Sequence, residues 1–206
     1  MMETEAVIKL VSGIRGSGKT VKVRHFVKNK NRLLIIDTLG NDYFDGVSFR
    51  SLRDLKRFWL KVYSGDFRLI YKPPGDEQEI IEDVAEICTL CDKCENLTLV
   101  IEELNIIFDE KRPPVEFNKM IFSGRKSGIE LIGVAQRPFG FGRKFTSQAK
   151  EFYAFYTHEP DDLRFFKQSF GSEAALAICT LEQYQYLKWV YADGVQKFEV
   201  CKDEPL

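Results

Sequence analysis

The chain has 206 residues, 44% of them apolar, which is enough to bury a sizeable core, and this length predicts one domain over residues 1–206. Its 30 basic residues against 31 acidic ones leave a formal charge of -1, which excludes a global basic field for nucleic acid, so any such contact must be local. There is no apolar run near the ~20 residues of a membrane span, the N-terminal Met1-Met2-Glu3-Thr4-Glu5 is acidic where a secretory leader is basic, and five cysteines do not suggest a disulfide scaffold, so a cytoplasmic protein with no transmembrane segment is expected.

In chain order, residues 6–11 (Ala6-Val7-Ile8-Lys9-Leu10-Val11) read as a buried strand and residues 20–27 as a helix. Between them, Gly13-Ile14-Arg15-Gly16-Ser17-Gly18-Lys19-Thr20 fits the pattern G-x-x-x-x-G-K-[ST] at every constrained position, in the strand-before and helix-after context that pattern requires. Apolar runs at 33–36, 67–71, 97–101, 130–135 and 152–156 predict further strands, with a shorter one at 47–49. Helical patterns fall at 52–63, 76–95, 115–127, 160–170 and 172–178, punctuated by Pro73-Pro74-Gly75 and Pro113-Pro114. Such alternation predicts an α/β fold with a central, mostly parallel sheet flanked by helices. Residues 186–191 and 195–201, around Ala192-Asp193-Gly194, predict a C-terminal β-hairpin added to that sheet.

Cys88, Cys91 and Cys94 spell C-x-x-C-x-x-C, a spacing found in iron–sulfur and zinc sites. Ile80, Val84, Ile87, Cys91 and Cys94 recur at helical intervals, however, which places the thiols on the apolar stripe of helix 76–95. A fourth ligand could come only from distant Cys179 or Cys201.

The glycine-rich stretch makes a nucleoside triphosphate the first ligand to consider. Its glycines let the backbone turn tightly around phosphate oxygens, Lys19 reaches the β- and γ-phosphates, and the Thr20 hydroxyl ligates Mg²⁺. The expected ligands are therefore ATP and Mg²⁺, cradled by Gly13, Ile14, Arg15, Gly16, Ser17, Gly18, Lys19 and Thr20. Hydrolysis also needs acids at the end of a neighbouring strand, and the apolar run 97–101 ends in Glu102 and Glu103. Glu102 is expected to face the Mg²⁺ site, directly or through water, and Glu103 to act as the general base on the attacking water. Paired glutamates also suit the start of a helix, but that does not explain why they end this strand. Gln136 follows strand 130–135; its neutral amide can hydrogen-bond the terminal phosphate or water and report which is present.

Taken together, Gly13 to Thr20, Leu97 to Glu103, and the block Ser123-Gly124-Arg125-Lys126-Ser127-Gly128-Ile129-Glu130-Leu131-Ile132-Gly133-Val134-Ala135-Gln136-Arg137-Pro138 resemble the FtsK and HerA family of DNA-pumping ATPases, which includes the packaging ATPases of internal-membrane viruses. Leu34-Ile35-Ile36-Asp37 and Asp161-Asp162-Leu163-Arg164-Phe165-Phe166 also resemble that family, so the likeness spans about residues 6–170 and leaves 171–206 as an extension. The resemblance implies a P-loop NTPase fold of the RecA-like, ASCE type and ATP hydrolysis coupled to translocation of double-stranded DNA. It further implies a homo-oligomeric ring, hexameric or pentameric, with capsid or membrane proteins of a virion as further partners. It makes Arg125 an arginine finger lent to a neighbouring subunit and Gln136 a sensor; Lys126 or Arg137 could equally be the finger. Where the family usually carries Asp then Glu, this chain has Glu102 then Glu103, which keeps the charge and moves the carboxylate. The short chain points to the minimal viral packaging ATPases, in the host cytoplasm or associated with a virion.

Two segments are candidates for DNA contact. Lys28-Asn29-Lys30-Asn31-Arg32 is basic but reads as solvated surface charge, whereas Phe139-Gly140-Phe141-Gly142-Arg143-Lys144-Phe145 interleaves cations with aromatics that either stack on bases or anchor the loop to the core. A second functional reading is an assembly or secretion ATPase resembling the zonula-occludens-toxin-like proteins of filamentous phages, which typically carry a membrane span. A third is a small-molecule kinase. The tandem glutamates and Gln136 speak against it, since a kinase keeps water from the phosphate.

Overall fold

The computed structural model describes residues 7–40, 43, 45–108, 113–138, 141, 143–192 and 195–204. The strands are β1 (Ile8–Ser12), β2 (Arg32–Ile36), β3 (Val47–Phe49), β4 (Phe67–Tyr71), β5 (Thr98–Ile101), β6 (Glu130–Ala135), β7 (Glu151–Phe155), β8 (Gln185–Ala192) and β9 (Val195–Lys202). The helices are α1 (Lys19–Val27), α2 (Leu52–Val62), α3 (Glu77–Cys91), α4 (Asn105–Phe108), α5 (Val115–Ser123), α6 (Arg143–Thr146), α7 (Pro160–Phe170) and α8 (Ser172–Ile178), with a 3-10 turn at Gly124–Ser127.

All nine strands join one sheet in the order β3-β4-β2-β5-β6-β1-β7-β8-β9. The pairs from β3 through β7 are parallel, so these strands present their carboxyl ends along one edge. Strands β8 and β9 form an antiparallel hairpin on β7, as the sequence predicts; its turn residues Asp193 and Gly194 lie outside the described residues. The central strands are apolar on both faces because both faces are covered. On one face Leu10, Leu34, Leu69, Leu99 and Leu131 pack with Trp59 of α2, Ile87 of α3, Phe117 of α5, Phe166 of α7 and Ile178 of α8. On the other, Val11, Ile35, Val100, Ile132 and Phe155 pack with Val23 and Val27 of α1.

Two helices are shorter than their patterns suggest. Helix α3 ends at Cys91, after which Lys93 N donates to Leu90 O and Cys94 N to Cys91 O. The tightened turn returns Cys94 to the core beside Cys88 and Cys91, where burial pushes all three thiols up in pKa and leaves them as small apolar side chains. Helix α5 stops at Ser123 and tightens into the 3-10 turn, which Gly128 closes at a φ of 69°. The one-turn helices α4 and α6 have no counterpart in the sequence reading, since four residues show no periodicity.

Candidate nucleotide site

The glycine-rich loop leaves the carboxyl end of β1 and runs into α1. Two of its glycines are obligatory on steric grounds. Gly13 has φ 146° and a Cβ there would lie 2.6 Å from Phe155 Cβ; Gly18, the residue capping α1, has φ 117° and a Cβ would lie 2.8 Å from Tyr184 Cδ1. The loop is pinned from both sides: Ile14 N donates to Tyr156 O, just past β7, at 3.1 Å, and Ser17 Oγ donates within the loop to Ile14 O at 2.8 Å. Lys19 Nζ donates to the carbonyls of Gly13 and Ile14 at 2.7 and 2.9 Å, which holds its charge across the loop. Thr20 lies in the first turn of α1, whose amides give that end a positive pole suited to phosphate.

The acids stand two strands away, with β6 between β1 and β5. Glu102 continues the line of β5, its N–H donating to Ile36 O at 3.0 Å, and its buried carboxylate accepts a hydrogen bond from the Tyr43 hydroxyl. Beside it the buried Asp37 at the tip of β2 accepts from Gly40 N at 3.0 Å and lies 3.8 Å from Lys72 Nζ. Glu103 then leaves the strand line at φ 50°, a left-handed conformation that costs a non-glycine residue about 1 kcal/mol or more. The turn carries Glu103 toward β6, where Leu104 N donates to Val134 O at 2.7 Å and Gln136 Nε2 donates to Glu103 Oε1 at 2.8 Å. The structure thus joins the two residues assigned separately as base and sensor. Thr20 and Glu102 are hard oxygen donors, which suit Mg²⁺. Among the described residues no group of three or more His, Cys, Asp or Glu side chains could hold a metal ion, so a cation here would rely on phosphate and water for most of its ligands.

The genome packaging NTPase B204 of Sulfolobus turreted icosahedral virus 2, solved with ATP-gammaS, matches with a TM-score of 0.75 at 22% identity over 100% of both chains. The fold is that of the P-loop NTPases. Within that fold, the DNA-packaging ATPase B204 of Sulfolobus turreted icosahedral virus matches with a TM-score of 0.70 at 20% identity over 97% of this chain and 98% of the other. The N-terminal domain of zonular occludens toxin from Neisseria meningitidis matches with a TM-score of 0.51 at 13% identity over 97% and 96% of the two chains. No family model matches the sequence, and no curated protein matches it.

The basic residues near these strand ends divide by their engagements. Arg125 lies in the 3-10 turn that leads to β6; its side chain lies outside the described residues, and the neighbouring Lys126 is exposed. Arg137, the other finger candidate, bonds within its own chain: Nε is 3.4 Å from Asp162 Oδ1 and Nη2 is 3.6 Å from Glu159 Oε2. Asp162 is fully buried, and burial raises its pKa against the opposing pull of Arg137 and of Thr157 Oγ1, which donates to it at 3.1 Å. This carboxylate ties the residue after Gln136 to the end of β7, a role the sequence did not show.

Of the two DNA-contact candidates, the first departs from expectation and the second follows the anchoring alternative for two of its aromatics. In the basic segment Lys30 Nζ lies 2.7 Å from Glu130 Oε2, and Arg32 caps the carbonyls of Tyr63 and Glu95 at 2.8 and 3.0 Å, so these cations brace the sheet rather than stand solvated. In the second segment Phe139, Gly140 and Gly142 lie outside the described residues. Phe141 and Phe145 are buried, packing on Phe152 and Phe117 with ring centroids 6.1 and 5.7 Å apart. These two rings anchor the chain to the core and are not free to stack on bases. No helix among the described residues is long and apolar enough to cross a membrane.

Proposed function

We propose that this chain is an ATP-hydrolysing motor that translocates double-stranded DNA, working as a homo-oligomeric ring in the packaging of a viral genome. The observation that carries the hydrolytic part is the 2.8 Å hydrogen bond from Gln136 to Glu103, formed at adjacent strand tips along the edge that bears the phosphate loop. A carboxylate placed there accepts a proton from the attacking water. The Gln136 amide alternates between that carboxylate and the terminal phosphate, and so registers whether the phosphate is present. Loop amides and Lys19 bind the phosphates, while Thr20 and Glu102 would hold Mg²⁺, which when bound neutralises charge developing on the phosphoryl oxygens. Arg125 approaches the phosphates of the neighbouring subunit's nucleotide, which is why the site requires an oligomer.

The packaging reading is supported by the full-length correspondence with the two viral packaging enzymes at TM-scores of 0.75 and 0.70, against 0.51 for the zonular occludens toxin domain. The mechanism predicts that Glu103→Gln lowers kcat by about 10²-fold or more with ATP affinity retained, as befits loss of a general base. Lys19→Ala should weaken ATP binding itself. Equilibrium binding and steady-state turnover separate the two effects, and wild-type turnover by Glu103→Gln would remove Glu103 from the mechanism.

A further inference from the structure

The segment that precedes β8 is fastened to the outside of the phosphate loop. Gln183 Nε2 donates to Gly16 O at 3.1 Å, and Tyr184 N donates to Ser17 O at 2.9 Å. Tyr184 in turn accepts from Asp203 N at 3.0 Å through its own carbonyl, so the residue is held between the loop and the end of β9. Nearby, Lys22 of α1 donates to the Tyr186 hydroxyl at 2.6 Å and to Asp203 Oδ1 at 3.1 Å, which binds the same hairpin to the helix that follows the loop.

Within this bracing Tyr184 takes φ 67°, a left-handed conformation that a bulky side chain rarely adopts. Of the three described non-glycine residues with positive φ, Glu103 is in the candidate site, Tyr184 is against its loop, and Asn96 is elsewhere. Strained backbone that persists under strong bracing is a recurrent property of ligand clamps. The strain here sets the half-buried Tyr184 ring over Gly18, at the positive end of α1.

The direction of a bound triphosphate follows from strand order. Glu103 and Gln136 sit at the tips of β5 and β6, on one side of β1; β7 and β8 lie on the other. Because β8 is antiparallel to β7, its first residues return to the edge that carries the loop. A triphosphate whose terminal phosphate faces Glu103 therefore sends its nucleoside toward β7 and β8, where the Tyr184 ring stands.

We infer that Tyr184 is a nucleoside-binding residue whose ring packs against the base of the bound nucleotide. This rests on the nucleotide site proposed above. Every base has a π-face, so the ring adds affinity without choosing between adenine and guanine.

The test compares binding of ATP, GTP and inorganic tripolyphosphate, which has no nucleoside, to the full chain by calorimetry. Tyr184→Gly deletes the ring while allowing the left-handed backbone, and Tyr184→Phe keeps the ring. The expected result is an ATP and GTP affinity reduced at least about fivefold in Tyr184→Gly, tripolyphosphate affinity unchanged, and wild-type behaviour in Tyr184→Phe. Unchanged tripolyphosphate binding also shows that the variant is folded with its loop intact. Equal losses for all three ligands would overturn the inference, since the ring would then act only through the loop; so would no loss of ATP affinity. If the wild-type chain bound neither ATP nor tripolyphosphate, the phosphate site itself would fail and this inference with it.

Discussion

At Glu103 the chain trades a regular strand for a left-handed turn, and the gain is a carboxylate that meets Gln136 across two strand tips. A glutamate one residue earlier stays in line with β5 and is buried under the Tyr43 hydroxyl. Consecutive residues of one type thus receive different surroundings, one buried and held by a tyrosine, the other half-buried and turned toward Gln136, which is the asymmetry the proposed division between Mg²⁺ ligand and base requires. The account predicts that Gln136→Ala lowers kcat by about 10- to 100-fold, on the scale of losing one oriented hydrogen-bonding group, while KM for ATP stays near its wild-type value. Steady-state kinetics check this, and an unchanged kcat would strip Gln136 of its role. The placement of Glu102, Glu103 and Gln136 was legible in the sequence because Glu102 and Gln136 directly follow apolar runs and Glu103 comes one residue later, and strand ends are where such folds place chemistry. Tyr184 and Asp162 were not. Each meets the site through contacts across the fold, and neither a tyrosine before a hairpin nor an aspartate in a helix's first turn carries a local signal of that contact.

Among the elements, the parallel strands were the most readable part, since burial on both faces demands apolar residues throughout. One exception inside the sheet is Glu130, which opens β6 and ties three elements together: Lys9 of β1 at 2.6 Å, Lys30 at 2.7 Å and Thr98 of β5 at 2.9 Å. Burial alone would raise its pKa, but the ammonium groups of Lys9 and Lys30 outweigh it and hold the carboxyl below its ordinary value. A depressed carboxyl pKa stabilises the fold above the unfolded value of about 4.3, and that contribution is lost as pH falls through the folded value. Glu130→Gln should therefore cost about 3 kcal/mol near neutral pH, the scale of breaking a buried ion pair, and the gap between variant and wild type should close on acidification. Urea unfolding across pH measures it; a gap independent of pH would show that the ion pairs contribute nothing. The basic segment 28–32 looks like surface charge in the sequence, which cannot show that Lys30 and Arg32 turn onto Glu130 and the carbonyls of neighbouring turns. The one-turn helices α4 and α6 were invisible for a different reason, having too few residues for a period.

For the whole molecule, one edge of a nine-stranded sheet gathers the glycine-rich loop, Glu102, Glu103, Gln136 and the aromatic Tyr184 before the hairpin. The two sheet faces are unequally covered: α2, α3, α5, α7 and α8 pack on one, and α1 on the other. The net charge of -1 means that a DNA-binding surface must be a local one, and its contacts to phosphate must weaken steeply with salt. Turnover of ATP by the full chain, measured with and without double-stranded DNA over a range of salt concentrations, tests the motor most directly. The account predicts that DNA raises kcat, that the rise fades as salt increases, and that Glu103→Gln shows none of it. Hydrolysis by the wild-type chain that ignores DNA at every salt concentration would contradict the claim.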